Sequence, residues 1–223
     1  MCYSIMKGKK KWRMIIMWIV LIVVALALII GGRLYYLSKE TSGEQVSSKI
    51  GSKSALLVLD VQNDTLGMKE YTQKDVLVKN INTAIKFAKE NEMEIIYTKQ
   101  VFSNPLDKLL SGGLYAENKE GSELSPEIEV LSSHVYTKER TDAFSNEELE
   151  KYLLDQKITT VYIIGADASA CVYKTALGGV NRNYNVIILD DCIFSISDKL
   201  LQKALKDYEN NGIKVSNLNE FMN

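Results

Sequence analysis

The feature that most constrains the fold is a regular alternation of short apolar runs with segments of helical periodicity, which begins near residue 54. Runs such as SALLVLD (54–60) and TTVYIIG (159–165) have the length and composition of buried strands. Predicted strands cover 54–60, 93–99, 133–138, 159–165, 185–191 and 213–217, and predicted helices cover 75–91, 145–157, 169–183 and 197–212. This order predicts a three-layer α/β/α domain with a mostly parallel, Rossmann-like sheet of about six strands.

Two helix ends and one long connection carry recognisable signals. Ser145, followed three residues later by Glu148, forms a capping box and predicts a helix that begins there. Gly212 predicts the end of the last long helix. Residues 100–130 contain both prolines and three of the glycines, which predicts surface loops over one end of the sheet.

A second feature is an apolar segment near the N-terminus. Residues 14–32, MIIMWIVLIVVALALIIGG, carry no charge, and as a helix at ~1.5 Å per residue they would extend roughly 29 Å, close to the ~30 Å core of a bilayer. A cleaved signal peptide is the main alternative, but its apolar region is usually about 7–15 residues long and precedes a small-x-small site. No A-x-A pattern follows residue 32, so we expect an uncleaved transmembrane helix over 14–32.

Charge around this helix predicts its orientation. Five basic residues precede it and no acidic residue occurs before Glu40; the five are Lys7, Lys9, Lys10, Lys11 and Arg13. The positive-inside rule therefore predicts a single-pass cell-membrane protein with residues 1–13 in the cytoplasm and the remainder extracytoplasmic. Because the following residues are polar and rich in Ser and Gly, we expect a flexible linker over 33–53 and a folded domain over 54–223.

Charge and cysteine content exclude several classes of function. Without the five N-terminal basic residues, 22 Lys and Arg face 28 Asp and Glu, a net charge of about −6, which argues against nucleic acid as a partner. Three cysteines are too few for a disulfide framework, although a Cys171–Cys192 pair remains an alternative for an extracytoplasmic domain. No C-x-x-C occurs and the single histidine, His134, has no partner at ligand spacing, so we expect no metal site.

Three reactive side chains follow predicted parallel strands. Ligands bind beyond the carboxyl ends of such strands, where Asp60, Lys138 and Cys171 fall. A helix N-terminus and a nearby ammonium would lower the pKa of the Cys171 thiol from ~8.5. A carboxylate could move the thiol proton to a leaving amine, and backbone N–H groups could hold an oxyanion. The set suits acyl transfer at a C–N bond; the alternatives are a packing cysteine, a helix-capping aspartate and a solvated lysine.

Several motifs resemble one family in the same order. The segments ALLVLDVQND, TKERTDAF and GADASACVYKTA are similar to the first motif, the lysine segment and the nucleophile turn of the isochorismatase-like cysteine hydrolases. That group includes nicotinamidases and N-carbamoyl amidases. The later segments YNVIILDDCIFS and GIKVSNLNEF also fit, so that the resemblance covers residues 54 to about 221.

The resemblance implies an Asp–Lys–Cys triad. Cys171 would attack the substrate carbonyl and form a thioester, Asp60 would shuttle the proton, and Lys138 would hold the developing charge. It also implies a cis peptide between Ala166 and Asp167, which would direct the amides of Asp167 and Cys171 at the oxyanion. No cofactor is implied.

The resemblance also indicates candidate substrate-pocket residues, and this chain departs from the family pattern at several positions. Gln62, Lys99 and Ala168 are candidate substrate-pocket residues, and Ala168 stands where the family usually has threonine. Gly178–Gly179 replaces an acid–alanine pair after the nucleophile. The metal-binding histidines of nicotinamidases are missing, which disfavours that activity, and Cys171 favours amide or carbamoyl hydrolysis over action on isochorismate.

The combined features predict a membrane-anchored cysteine hydrolase that cleaves a C–N bond of a small amide, carbamoyl or ureido compound. The alternative is a catalytically weak or inactive domain of the same fold that serves as a binding module or scaffold at the membrane. The expected partners are a small-molecule substrate and the lipid bilayer, contacted through residues 14–32. A homodimer or higher homo-oligomer is left open as the assembly.

Overall fold

The computed structural model describes residues 2–47 and 53–223, with side chains from Trp12 onward. The chain divides into two compact units, one that ends at Leu37 and one from Ser38 to Asn223. The described part of the first unit lies within helix α1 (Cys2–Ser38). Within α1, Trp12–Ser38 contains an 18-residue apolar window with a mean hydropathy of 3.2, none of it buried, so the segment is long and apolar enough to cross a bilayer. The helix continues beyond residue 32, into the range expected to be a linker.

The second unit is an α/β domain, as the alternation predicts. Its strands are β1 (Lys53–Leu59), β2 (Glu94–Gln100), β3 (Val135–Lys138), β4 (Ile158–Gly165), β5 (Asn185–Ile193) and β6 (Lys214–Ser216). Its helices are α2 (Asn63–Leu66), α3 (Lys74–Glu90), α4 (Pro105–Leu110), α5 (Glu147–Asp155), α6 (Cys171–Val180), α7 (Asp198–Asn210) and α8 (Leu218–Phe221). The strands lie in the order β3-β2-β1-β4-β5-β6, and the five pairings between them are all parallel.

Helices cover both faces of the sheet, and each face has its own apolar core. Alternate residues of β1 point to opposite sides: Leu57 and Leu59 join the core under α5, α6 and α7, and Leu56 and Val58 join the core under α3 and α8. Central strands buried on both faces are typical of parallel sheets, and this explains the continuous apolar runs in the sequence. The predicted fold class is confirmed.

The start of α5 differs from the capping-box prediction. Asn146, not Ser145, is the N-cap, and its side-chain oxygen accepts a hydrogen bond from the N–H of Leu149. Ser145 belongs to a preceding 3₁₀ turn (Ala143–Ser145), where its hydroxyl donates to the carbonyl of Asp142. The capping box was therefore wrong, because a tertiary turn uses the hydroxyl that the pattern assigned to the helix.

Residues 39–46 also differ from the expected flexible linker. They have no regular secondary structure, yet they make specific hydrogen bonds to α5, α6 and the loop after β3. Val46 is buried in the core beside α5 and α6, and its N–H donates to the carbonyl of Arg182. We call residues 39–46 the strap.

Gly165 sets the spacing between the two central strands where β4 ends. Its φ is +113°, in a region that side-chain-bearing residues rarely adopt. A Cβ added there would lie 2.2 Å from the carbonyl oxygen of Leu59, a backbone atom that cannot rotate away. Only glycine therefore allows the ends of β1 and β4 to lie this close together.

We expect Gly165→Ala to lower the free energy of unfolding by about 3 kcal/mol, because it combines an unfavourable φ with a clash against backbone. Gly212→Ala is the matched control, since Gly212 also has positive φ (+72°) but no atom within 4 Å of an added Cβ. That control should cost about 1 kcal/mol. Urea unfolding of both variants measures the difference, and equal losses would contradict the steric role of Gly165.

Candidate active site

The candidate site lies at the carboxyl edge of the sheet, where the order of the strands reverses. Strand β1 leads to β2 on one side, and its other neighbour is β4, so the crevice between β1 and β4 is the topological switch point at which such folds bind ligands. Asp60 follows β1 directly, and Cys171 is the first residue of the helix after β4. Lys138 is the last residue of β3, two strands away from β1, and its long side chain spans the gap.

The structure brings these three predicted residues together. The Nζ atom of Lys138 lies 2.7 Å from Oδ2 of Asp60 and 3.4 Å from Sγ of Cys171. The same ammonium donates to Oε1 of Gln100 at 2.9 Å and to the carbonyls of Arg140 and Thr141 at 3.2 and 3.4 Å. The side chains of Lys138 and Asp60 are only 1% and 4% exposed, so their opposite charges interact with little screening by water.

Asp60 is fixed by its backbone and by two threonines. Its φ is +53°, a left-handed conformation that aspartate adopts more readily than most residues. Oδ1 accepts a hydrogen bond from Oγ1 of Thr98 on β2 at 2.7 Å, and Thr65 donates to the Asp60 carbonyl at 2.6 Å. These contacts hold the side chain of Asp60 in one rotamer, in which Oδ2 faces the lysine and the cysteine.

The thiol of Cys171 is held in its protonated form. Burial raises the pKa of Cys171 to about 12; the charge of Lys138 lowers the pKa, while the charge of Asp60 and a hydrogen bond between Cys171 and Asp60 raise it. The sequence-based expectation of a lowered pKa was therefore wrong. Helix position and a neighbouring ammonium favour thiolate, but desolvation and an adjacent carboxylate outweigh them.

Lys138 remains a cation in this site. Burial alone lowers the pKa of Lys138, but the charge of Asp60 and the hydrogen bonds of Lys138 to Asp60 and Cys171 outweigh burial, and the pKa is raised. The resting site is then a buried ion pair beside a neutral thiol. The ammonium of Lys138 contacts both the carboxylate of Asp60 and Sγ of Cys171, and it thereby holds the two groups close together.

The turn before Cys171 has an unusual backbone. The peptide between Ala166 and Asp167 is cis, at the position that the family resemblance indicates. The side chain of Asp167 accepts hydrogen bonds from the N–H and hydroxyl of Ser169. Within the described part of the chain, the amide N–H groups of Asp167 and Cys171 donate to no backbone carbonyl, so both remain able to bind an oxygen.

The three candidate pocket residues bond or pack against groups other than the triad. Gln62 is fully buried, and its side-chain amide bonds the backbone of Gln100 and Ser122. Lys99 pairs with Glu123 at 2.7 Å. Ala168 is fully buried in the core under α6 and α7, and its carbonyl accepts a hydrogen bond from the hydroxyl of Tyr208. Packing thus explains the alanine at 168.

Sequence reasoning missed Gln100, Tyr71 and Tyr115. Strand β2 ends one residue later than predicted, at Gln100, whose side chain points to the same face as Thr98 and therefore toward the triad, whereas Lys99 alternates away. Tyr71 donates to Oδ2 of Asp167 at 3.4 Å. The hydroxyl of Tyr115 lies 3.1 Å from Oγ1 of Thr65, the residue that donates to the Asp60 carbonyl, and burial raises the pKa of both tyrosines. The alternation of side chains along β2 could have identified Gln100. The two tyrosines lie in loops, where no sequence pattern indicates a position in the site.

The Gly178–Gly179 pair has a structural explanation. A Cβ at Gly178 would lie 2.5 Å from Oδ2 of Asp142, a fully buried carboxylate, and one at Gly179 would lie 2.9 Å from the side chain of Val186. The first glycine makes room for Asp142, and the second brings α6 close to β5. The pair is a packing adaptation of this chain.

Two remaining sequence candidates are structural. His134 hydrogen-bonds the hydroxyl of Tyr152 at 2.9 Å, far along the sheet from the triad, and Cys192 is buried in the core under α3. Both Cys171 and Cys192 are free thiols. Among the described residues, no group of three or more His, Cys, Asp or Glu side chains is arranged to hold a metal ion.

Comparisons with known proteins identify the domain. Residues 54–220 match the Isochorismatase domain. The isochorismatase family protein 2A of Dictyostelium discoideum is 26% identical over 174 residues, which cover 74% of this chain and 78% of that protein.

Solved structures have the same architecture. The pyrazinamidase of Pyrococcus horikoshii, in complex with zinc, superposes with a TM-score of 0.65 at 25% identity, and the match covers 74% of this chain and 99% of that one. The N-carbamoylsarcosine amidase of Thermoplasma acidophilum superposes with a TM-score of 0.63 at 24% identity, over 74% of this chain and 96% of that one. Since the matched domain covers well over half of the sequence, this protein belongs to the isochorismatase-like hydrolase family.

Proposed function

We propose that this protein is a membrane-anchored cysteine hydrolase that cleaves a C–N bond of a small amide, carbamoyl or ureido compound through a Cys171 thioester. The observation that carries the proposal is the single cluster formed by a buried carboxylate, a buried ammonium and a thiol at the switch point of the sheet. A buried ion pair is costly to maintain for packing alone, which favours a chemical role.

In the first half-reaction, Asp60 acts as the general base. It accepts the proton of Cys171 as Sγ attacks the substrate carbonyl carbon, which removes the need for a preformed thiolate. The carbonyl oxygen becomes an oxyanion held by the amide N–H groups of Asp167 and Cys171. Asp60 then returns the proton to the leaving nitrogen, the C–N bond breaks, and an acyl- or carbamoyl-thioester remains on Cys171.

In the second half-reaction, water attacks the thioester. Asp60 accepts a proton from the water as the C–O bond forms and passes it to Sγ as the C–S bond breaks, which regenerates the thiol. Lys138 stays protonated throughout. Its charge offsets the negative charge that moves between Asp60, Cys171 and the oxyanion, and its hydrogen bond to Gln100 keeps it in place.

The site and the solved relatives both support the proposed substrate class. Two structural relatives, a pyrazinamidase and an N-carbamoylsarcosine amidase, both hydrolyse C–N bonds. The structure of the pyrazinamidase is a complex with zinc, whereas the described residues of this chain contain no group of three or more His, Cys, Asp or Glu side chains that could hold a metal ion. These observations support a reaction that depends on the triad and not on a bound metal.

The thiol reactivity of Cys171 should depend on Lys138. With its pKa raised to about 12, Cys171 should react with iodoacetamide about tenfold faster for each unit of pH between 6 and 9, because the thiolate fraction rises in that proportion. Lys138→Met should slow the reaction by about tenfold at each pH, since removing the ammonium raises the thiol pKa further. Mass spectrometry of labelled peptides measures both rates.

The matched control is Lys99→Met, which removes a neighbouring lysine that pairs with Glu123 outside the triad. It should leave the rate of Cys171 unchanged. Cys192, which is buried and has a raised pKa, serves as the internal reference and should react more slowly than Cys171. Equal, slow labelling of the two cysteines would favour the binding-module alternative.

Hydrolysis itself should require Cys171. In a screen of primary amides, N-carbamoyl amino acids and ureido compounds, we expect ammonia release that Cys171→Ala lowers by at least about 10³-fold. Cys192→Ala should retain activity, because that thiol packs in the core. EDTA should leave the rate unchanged, and a loss of turnover on chelation would contradict the metal-free mechanism.

The anchor and its orientation are a separate part of the proposal. The length and hydropathy of α1 and the basic residues before it support a single-pass helix with the hydrolase domain extracytoplasmic. Protease added to intact cells should then degrade the domain. Protection that is lost only on lysis would reverse the orientation, and recovery of a soluble chain that lacks α1 would indicate a cleaved signal.

A further inference from the structure

We propose that the strap, residues 39–46, is a positioning element of the active site that holds the loop after β3 and thereby fixes Lys138 against Cys171. Nothing in the sequence pattern of this polar segment predicts that role. The inference rests on the proposed function in taking Cys171 as the nucleophile, but it can be tested without a substrate.

The strap supplies hydrogen bonds to a buried carboxylate. Asp142 is fully buried, and its Oδ2 accepts hydrogen bonds from the N–H and hydroxyl of Thr41 at 2.7 and 2.6 Å. Its Oδ1 accepts from the N–H of Phe144 at 2.9 Å. Burial raises the pKa of Asp142, and the bonds from Thr41 are the largest effects that oppose this shift. Without the strap, Asp142 would lose two of these three donors.

The strap also completes the surroundings of a buried cation. Arg182 is 2% exposed and forms a two-point ion pair with Glu150, with distances of 2.8 and 2.9 Å. Its Nη1 atom donates to Oγ1 of Thr41 at 3.0 Å, and Glu150 accepts the N–H of Glu44 at 3.2 Å. One threonine hydroxyl therefore links a buried anion to a buried cation. Unpaired buried charges are strongly unfavourable, and the strap supplies hydrogen bonds to two of them. This explains why such a polar segment has a fixed position against the domain.

The same contacts reach the catalytic lysine through a short loop. Residues 139–142 connect Lys138 to the 3₁₀ turn, and the carbonyls of Arg140 and Thr141 accept hydrogen bonds from Nζ of Lys138. The strap holds this loop at both ends: Arg140 donates to the carbonyl of Lys39 at 2.7 Å, and Asp142 accepts from Thr41. If the strap were released, the two carbonyls would lose their fixed position beside the ammonium.

A further contact joins the strap to the helix that begins with the nucleophile. Glu40 pairs with Lys174, three residues after Cys171, at 2.8 Å, and Asn181 at the end of α6 donates to the Thr41 carbonyl at 2.9 Å. Thr175 on the same helix accepts the N–H of Ala143. The strap thus bridges the lysine loop and α6, the two elements that set the distance between Nζ and Sγ.

The experiment compares Thr41→Val with Thr41→Ser in the full chain, purified in detergent. Valine keeps the shape of threonine but removes its hydroxyl bonds to Asp142 and Arg182, whereas serine keeps them. For Thr41→Val we expect faster hydrogen–deuterium exchange over residues 40–46. We also expect the pH profile of Cys171 alkylation to move up by about one unit, with a roughly tenfold slower rate at a given pH. Thr41→Ser should behave like the unchanged chain.

A second pair guards against a variant that fails to fold. A side chain at Gly43 would overlap the carboxylate of Glu150, so Gly43→Val should release the strap by sterics alone and give the same shift. Ser42→Val places a valine at the neighbouring exposed residue and should change nothing. Thermal unfolding verifies that each variant is folded.

Every outcome bears on the proposal. Release of the strap, seen by exchange, together with a shifted alkylation profile supports it. Release of the strap with an unchanged alkylation profile overturns the proposal. Unchanged hydrogen–deuterium exchange in both Thr41→Val and Gly43→Val also overturns it, because the position of the strap would then not depend on these contacts. Absence of any hydrolysed substrate in the screen would count against the proposed function while a shifted profile would still establish the positioning role.

Discussion

The buried ion pair between Asp60 and Lys138 is the interaction on which the rest of the site depends. Removing two charges from water costs several kcal/mol for each ion, so the fold must surround both with partners. Asp60 has Thr98 in addition to the lysine, and Lys138 has Gln100 and two loop carbonyls. These partners come from β2 and from the loop after β3. The same low-polarity surroundings raise the pKa of Cys171 and keep its thiol protonated.

Close backbone approaches let these groups meet. Gly165 allows the end of β4 to lie against Leu59, the residue before Asp60, so that the carboxylate and the turn before Cys171 share one crevice. Gly178 leaves room for Asp142, which anchors the loop after β3 and binds Thr41 of the strap. The glycine at 178, which departs from the family pattern, and the fixed conformation of the strap are therefore parts of one packing arrangement. The strap adds to the hydrolase domain a segment that its sequence assigned to a linker.

Much of the fold, and the meeting of Asp60, Lys138 and Cys171 at one edge of the sheet, could be predicted from the sequence. The strand ends were placed within about two residues, because buried parallel strands require continuous apolar runs that loops do not contain. The neighbouring details could not be predicted so well. Lys99 was preferred to Gln100 because the strand end was placed one residue early, and one residue reverses the face to which a side chain points. Ser145 was preferred to Asn146 because the competing 3₁₀ turn is not visible in a local pattern.

The sequence by itself determined the order of strands and helices, the apolar helix near the N-terminus, and the positions of Asp60, Lys138 and Cys171 at strand ends. These depend on periodicity and on residue type, which are local properties. The tertiary structure alone decided that burial outweighs the ammonium at Cys171, that Gln62 and Ala168 pack in the interior, and that the strap binds Asp142 and Arg182. Desolvation and long-range hydrogen bonding depend on which distant segments meet, and a local sequence pattern does not contain that information.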